Sequence, residues 1–178
     1  MVRFSTLVFG SFCVVFCSAQ DRSCIVPPER YSILQAEAWK AMPDIGEGVP
    51  FQVDRSDVER AECILTAFIT WHKGLTRQGR DSLMEVSEGR IRDGCMSKDW
   101  RAYHRQYRGY LQEGSRVIRV NLSCRKPIDI GHVKVDLTKV WYEVDDGGDC
   151  YFQASVDLTK GEVVRFSVNG PVDPSWCR

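Results

Sequence analysis

The clearest helical pattern in the chain is an apolar stripe between residues 57 and 73. Its members recur every three or four positions, as on a helix with one buried face: Val58, Ala61, Leu65, Phe68, Ile69 and His72. Ser56 and Glu59 have the spacing of a capping box before it, and Gly74 is a natural stop. The pattern predicts a helix of about 25 Å over residues 57–73.

After residue 100 the hydrophobic pattern alternates, which is typical of β-strands. The predicted strands are 103–111, 116–122, 138–144, 150–157 and 163–168, and turn-forming residues at 112–115, 145–149 and 159–162 separate them. On the second strand Ile118, Val120 and Leu122 share one side, while Arg119 and Asn121 share the other. This alternation predicts a sheet with one buried and one solvated face.

A helix followed by strands in a meander predicts an α+β fold, with one long helix packed on a curved antiparallel sheet of four to five strands. By analogy, a cystatin-like or NTF2-like architecture fits this order of elements best. Residues 56–178 would form the helix-and-sheet unit. Residues 20–55 precede it as an N-terminal segment with a short helix over 29–41, and 20–178 would be one domain overall.

Residues 1–19 have the composition of a secretory signal peptide. Arg3 gives a basic start, residues 4–16 are almost wholly apolar, and Ser18 and Ala19 offer small residues to a signal peptidase. The apolar stretch is shorter than the roughly 20 residues of a membrane-spanning helix. The sequence therefore predicts cleavage after Ala19 and a secreted protein, periplasmic or extracellular, that does not insert into a membrane after cleavage.

Two of the eight cysteines lie in the predicted signal peptide. The other six are Cys24, Cys63, Cys95, Cys124, Cys150 and Cys177. An even number in an exported chain predicts a disulfide framework, and the absence of a C-x-x-C pair argues against zinc. Among 15 possible connectivities, the strand order favours Cys24 with Cys63, Cys95 with Cys124, and Cys150 with Cys177.

Composition narrows the function classes further. Basic and acidic residues balance at 24 each, so the net charge gives no general attraction to nucleic acid or to anionic membranes. No two of His72, His104 and His132 have metal-ligand spacing, and none lies in a hydrolase motif. The sequence therefore suggests no catalytic residue, no metal and no cofactor.

Several motifs together resemble a family of uncharacterised small exported bacterial proteins. These motifs are R-Q-Y-x-G at residues 105–109, an acidic Gly-Gly turn followed by an aromatic strand at 145–152, and a closing Asn169-Gly170. The resemblance covers roughly residues 100–170. It implies a shared fold and carries no activity. The bacterial source that it implies also argues against use of the glycosylation sequon at Asn121.

Two segments offer candidate binding residues. Cations and aromatic rings alternate around Arg105, Tyr107 and Arg108, and such a surface can stack bases or sugars and hold phosphates. The alternative is a half-exposed strand whose tyrosines pack while the arginine heads remain in solvent. Asp145 and Asp146 lie in a turn whose carboxylates suit Ca²⁺, although Asp-Gly sequences are also ordinary hairpin turns.

These features favour a non-enzymatic binding or interaction module, with another exported protein as a possible partner. A cystatin-type protease inhibitor is one alternative, but Gln153 is followed by no suitably spaced glycine, and Pro174 is separated from Trp176. An enzyme with an NTF2-like, cone-shaped pocket is the other. The sequence favours a protein without enzymatic activity.

Overall fold

The computed structural model describes residues 24–40, 48–88, 99–124, 129–130, 133–142 and 150–168. The α-helices are α1 (Ala36–Lys40), α2 (Arg55–Lys73) and α3 (Arg77–Val86). The strands are β1 (Tyr31–Ile33), β2 (Val49–Phe51), β3 (His104–Gln112), β4 (Ser115–Ser123), β5 (Asp129–Ile130), β6 (Val133–Lys134), β7 (Tyr151–Asp157) and β8 (Glu162–Val168). The predicted signal peptide lies outside the described residues.

Helix α2 contains the predicted helix but begins two residues earlier, at Arg55. Its N-cap is Asp54, whose side chain accepts from the backbone N–H of Asp57 at 2.9 Å, while Asp57 accepts from that of Asp54 at 3.2 Å. The capping box predicted at Ser56 and Glu59 is therefore wrong. Asp54 takes the role because its own carboxylate already satisfies the free N–H groups of the first turn.

Five strands of the main sheet run in the order β1-β3-β4-β7-β8, and β2 also pairs with β3. The β3–β4 hairpin turns at Glu113 and Gly114, which have φ of 50° and 80°. Two consecutive left-handed residues give the hairpin turn that suits the twist of the strands. The turn predicted at 112–115 is thus confirmed, and β5 and β6 form a separate two-stranded sheet.

The α+β class is confirmed, but its details differ from the prediction. There are three described α-helices, and the sheet is mixed, because β1 runs parallel to β3 while β2 runs antiparallel to it. The helix predicted over 29–41 is wrong for most of its length. Residues 31–33 are extended beside β3 instead, and the backbone N–H of Leu34 continues this pairing to the carbonyl of Tyr107 at 2.8 Å.

The strand predicted over 138–144 is also wrong in its described part, because residues 138–142 form a turn and an irregular connection. The side chain of Gln106 holds this connection. It donates to the carbonyls of Leu137 and Val140 and accepts from the backbone N–H of Tyr142 at 3.0 Å. The connection therefore crosses the sheet face and leaves β4 free to pair directly with β7.

The main core lies between α2 and the sheet. Helix α2 packs on β7 and β8, and its buried face meets inward side chains of β3, β4, β7 and β8. The largest buried members on the sheet side are Tyr103, Tyr107, Ile118, Leu122, Phe152 and Phe166. Gly109 allows the close approach of β2, because a Cβ there would lie within 2.6 Å of the Phe51 ring.

A smaller apolar cluster covers part of the opposite sheet face. It consists of Leu34, Trp39, Tyr110 and Val117, with Trp141 and Val164 packed against it. Arg119 and Asn121, which the alternation assigns to this face, are 8% and 5% exposed. The expectation of a solvated second face is therefore wrong at these positions, because α1 and residues 137–142 lie over that side of the sheet.

Two disulfides join described cysteines. Cys24 pairs with Cys63, which ties the N-terminal segment to α2 and confirms one predicted bridge. Cys124 pairs with Cys150, so the predicted Cys95–Cys124 and Cys150–Cys177 bridges are wrong. The reason is the missing strand: with β4 directly beside β7, the cysteine after β4 and the cysteine before β7 lie at the same end. Cys95 and Cys177 lie outside the described residues.

Both bridges fit a non-cytoplasmic compartment, because thiols remain reduced in the cytosol of most organisms. No helix among the described residues combines the length and the apolar character needed to cross a bilayer.

Removing the Cys24–Cys63 bridge should destabilise the protein. The bridge closes a loop with a sequence separation of 39 residues, for which chain entropy predicts a loss of about 3–4 kcal/mol in the free energy of unfolding. Urea unfolding of a Cys24→Ser/Cys63→Ser double variant would measure it.

Non-reducing proteolysis with mass spectrometry should recover a Cys124–Cys150 peptide. A Cys95–Cys124 peptide would contradict the described fold.

Candidate functional site

Two of the predicted binding residues, Arg105 and Tyr107, lie in the core beside Glu62 of α2. The Arg105 Nε donates to Glu62 Oε1 at 3.1 Å, and the Tyr107 hydroxyl donates to the same oxygen at 2.7 Å. Glu62 is 1% exposed and Arg105 2% exposed. These residues lie on the face of β3 that packs against α2, so the cluster joins the helix to the sheet.

The remaining donors of Arg105 are also used inside the protein. Its Nη1 donates to the carbonyl of Tyr103, its Nη2 donates to that of Trp100 at 3.3 Å, and the guanidinium lies 5.4 Å from the centre of the Trp100 ring. The expectation of an arginine head in solvent is therefore wrong at this position. This arginine is placed to neutralise Glu62 and to fix the chain before β3.

Arg108, the third predicted binding residue, points to the opposite sheet face and is 3% exposed. Its guanidinium lies between two indole rings, 5.0 Å from the centre of Trp39 and 4.4 Å from that of Trp141. Cation–π contacts of this kind are strongest where water is excluded. Arg108 thus links α1 to residues 137–142. The expectation that its guanidinium lies in solvent is wrong.

Asn121 holds the same connection from the middle of β4. Its Nδ2 donates to the carbonyl of Tyr142. The recess that Asn121 lines with His104, Gln106 and Ser123 has room for about one water molecule. That is far below the roughly 300–1,000 Å³ of a small-molecule pocket. Burial in a central strand also argues against glycosylation of the sequon at Asn121.

The remaining predicted features have few described counterparts. Asp145 and Asp146 lie outside the described residues, as does His132. Among the described side chains, no group of three His, Cys, Asp or Glu residues is arranged to hold a metal ion. His72 is buried against Phe68 and Phe166, with ring centres 5.7 and 5.6 Å away, which agrees with its place on the apolar stripe of the helix.

The outer face becomes accessible at β8, whereas Ser155 and Asp157 on the outer side of β7 are still buried. The Nη2 of Arg119 donates to the Oε1 of Gln153 at 2.8 Å. In the strand register, Ser155 of β7 stands opposite Arg119 of β4 on one side and Arg165 of β8 on the other. Arg165 is exposed, whereas Gln153 is half-buried. Burial, followed by a hydrogen bond with Tyr151, raises the pKa of Tyr142, whose carbonyl accepts from Asn121. Among the described residues, the outer face is thus most accessible at the β8 end of the sheet.

Strand β8 forms that end. Six of its seven residues pair with β7 on one side, and no described strand pairs with its other side. Val164 is an extra residue at a bulge, and the pairing is regular from Arg165 to Val168. On the helix side the ring of Phe166 packs on that of Phe68, with 5.3 Å between ring centres. The ring centre of Phe68 lies 5.8 Å from that of Trp71. Trp71 is 50% exposed, so an accessible aromatic side chain adjoins Phe68, which packs on Phe166 of β8.

Sequence reasoning missed the burial of Glu62 and Trp39 and the exposure of Trp71 and Arg165. Glu62 had a detectable signal, since it adjoins the apolar stripe of α2 next to Ala61, where a solvated glutamate is not expected. Trp71 lies beside the stripe rather than on it. Nothing in the local sequence separates Arg165 from the buried arginines, because exposure depends on its place in an edge strand.

Comparison of the chain with protein-family models, with curated proteins and with solved structures finds no match.

Truncating Glu62 should be far more damaging than truncating Glu59 on the same helix. Glu62→Ala leaves the Arg105 guanidinium buried without its carboxylate, which costs about 3–5 kcal/mol. Glu59 makes an exposed pair with Arg55, so Glu59→Ala should change stability little. Urea unfolding of both variants measures the difference, and similar losses would contradict a buried Glu62–Arg105 pair.

Tyr107 should make the protein less stable in alkali. Burial, followed by the charge of Glu62, raises its pKa well above the usual value, so above about pH 10 the unfolded chain releases this proton while the folded protein keeps it. Stability should then fall with rising pH, by about 1.4 kcal/mol per pH unit from this residue. In Tyr107→Phe, the free energy of unfolding measured against pH should fall less steeply than in the wild-type protein above pH 10, by that amount. Between pH 6 and 8 the two curves should be parallel. Curves that stay parallel above pH 10 would refute the prediction.

Proposed function

We propose that the protein is a secreted, disulfide-stabilised, non-enzymatic interaction module that binds an extended segment of another exported protein along β8. The observation that carries this proposal is the seven-residue edge strand with no neighbour among the described residues. About half of the backbone N–H and C=O groups of an edge strand point away from its sheet. A partner strand satisfies those groups by extending the sheet.

The opposite edge is less suited to this role. It is formed by β1 and β2, which have three residues each, and β2 carries Pro50, which has no N–H to donate. Short strands and proline are common devices that protect a sheet edge from pairing. The β8 edge offers a regular stretch, Arg165–Val168, long enough for a short peptide.

The surroundings of β8 also support binding. A strand added there would continue both faces of the sheet, and its side chains on the helix side would approach Trp71 and Phe68. Exposed aromatic residues next to a strand edge supply the apolar contact that main-chain hydrogen bonds alone lack. Tryptophan is enriched among the residues that dominate binding energies.

The use of candidate chemical groups argues against catalysis. Glu62, Arg105, Tyr107 and Arg108 are engaged with one another or with aromatic rings inside the protein, and the recess at Asn121 is too small for a substrate. An enzyme needs such groups to face a pocket.

We further propose that the packing of α2 on the sheet belongs to the cystatin-like or NTF2-like architectures. No observation favours protease inhibition.

The proposal predicts that β8 binds a neutral strand-forming peptide. The probe is a soluble peptide of about seven residues that alternates valine and glutamine, added to isotope-labelled protein and followed by amide NMR. The shift changes should be confined to β8 and the Trp71 region, and the outward β8 amides should exchange more slowly with solvent when the peptide is bound.

Trp71→Ala should weaken peptide binding about fivefold or more, whereas Val86→Ala, which removes an exposed apolar side chain on α3, should not. Two results would refute the proposal. One is the absence of peptide binding at millimolar concentration. The other is slow exchange of all β8 amides in the free protein, equal to that of β4, because the edge would then already be occupied.

A further inference from the structure

We infer that the strand bound at β8 is amphipathic, with apolar side chains on the face toward Trp71 and a carboxylate opposite Arg165 on the other face. This inference rests on the proposed strand-binding function and specifies the chemistry of the partner. It follows from what each side of the β8 edge presents.

The outer side of the edge is basic among the described residues. Arg108 stands opposite Arg119 in the register of β3 and β4, Arg119 stands opposite Ser155, and Ser155 stands opposite Arg165. One row across the sheet therefore carries three guanidinium groups. Like charges in neighbouring strands repel, and opposite charges attract by about 0.2–1 kcal/mol per pair. The next strand position in this row favours an acidic residue.

Arg165 is the member of the row that an added strand would meet. It is exposed, and it lies at the outer edge, whereas Arg108 and Arg119 are buried behind it. The described acidic residues near this face lie farther along the strands. Asp157 accepts from the backbone N–H groups of Thr159 and Lys160, and Glu162 stands opposite Asp157, beyond the bulge. Neither stands in the row of Arg165.

The helix side of the edge is apolar. Phe166 and Phe68 are packed together, and Trp71 extends this surface into solvent. In a strand, alternate side chains point to opposite faces. A partner segment that satisfies both sides at once therefore alternates apolar and polar residues, with Asp or Glu in the polar position that faces Arg165.

Features of β8 itself disfavour a second copy of the chain as the occupant. An exposed arginine in the middle of an edge strand discourages identical edges from pairing with one another, because it carries the same charge in both copies. Two β8 strands paired about a two-fold axis near Phe166 would also bring two copies of Arg165 close together, without a carboxylate in the regular stretch Arg165–Val168. An acidic segment of a different protein removes this repulsion.

The test compares three peptides on one scaffold of alternating valine and glutamine, with glutamate, glutamine or lysine at the central polar position. At low ionic strength the glutamate peptide should bind about threefold to tenfold more tightly than the lysine peptide, and the gap should shrink at high salt. Arg165→Glu should reverse the order of the two charged peptides. Arg60→Glu, which makes the same charge change at an exposed position on α2, should leave the order unchanged.

Equal affinities of the three peptides for the wild-type protein would overturn the inference while leaving the strand-binding function standing. Binding of none of them would refute both. A concentration-dependent dimer in analytical ultracentrifugation that the neutral substitution Arg165→Gln strengthens, together with loss of peptide binding, would identify a second copy as the occupant and would also overturn the inference. Arg165 is exposed, so its substitution should leave the fold intact, which thermal unfolding would check.

Discussion

A guanidinium group buried in a protein costs several kcal/mol unless a carboxylate and further acceptors surround it. Arg105 meets this requirement only when α2 brings Glu62 to within 3.1 Å and when the chain before β3 turns its carbonyls inward. The rest of the main core depends on this arrangement. It fixes the position of α2 on the sheet, it places Tyr107 where its hydroxyl can share Glu62, and it sets the point at which β3 begins. A shift of the helix would leave two opposite charges buried and separated, so the pair selects one packing among those that the apolar residues alone would allow.

The second sheet face follows a related rule with different chemistry. Polar side chains there hold covering segments in place instead of meeting bulk water. Arg108 lies between Trp39 and Trp141, and Gln106 takes the hydrogen bonds of residues 137–142 that a neighbouring strand would otherwise take. The sheet is therefore covered on both faces near β3 and β4 and becomes open only at β8. This gradient explains why the candidate interaction surface lies at the end of the sheet and not in its centre.

Elements with a strong local pattern could be predicted from the sequence. The stripe of α2 and the alternation of β4 both come from burial of one face, and Gly114 identifies the hairpin turn through its left-handed backbone. The errors arise where distant residues decide the structure. Arg105 is buried because of a glutamate 43 residues earlier in the chain. Residues 138–142 alternate like a strand because they lie between the sheet and solvent, and that error also misassigned the partner of Cys124. The candidate site shares this limit, since the chain order does not indicate which arginine lies at an edge.

The contrast between the arginines supports β8 as the interaction surface. A core that already neutralises Arg105 with Glu62 and encloses Arg108 between two indole rings gains no stability from Arg165, which contacts neither cluster. An exposed cation in an edge strand instead affects which strands can join the sheet: it weakens pairing with identical or basic edges and favours an acidic one. Trp71 adds apolar attraction on the other side of the same edge. Selection by charge on one face and attraction by an aromatic ring on the other is the combination that a specific strand-binding site requires.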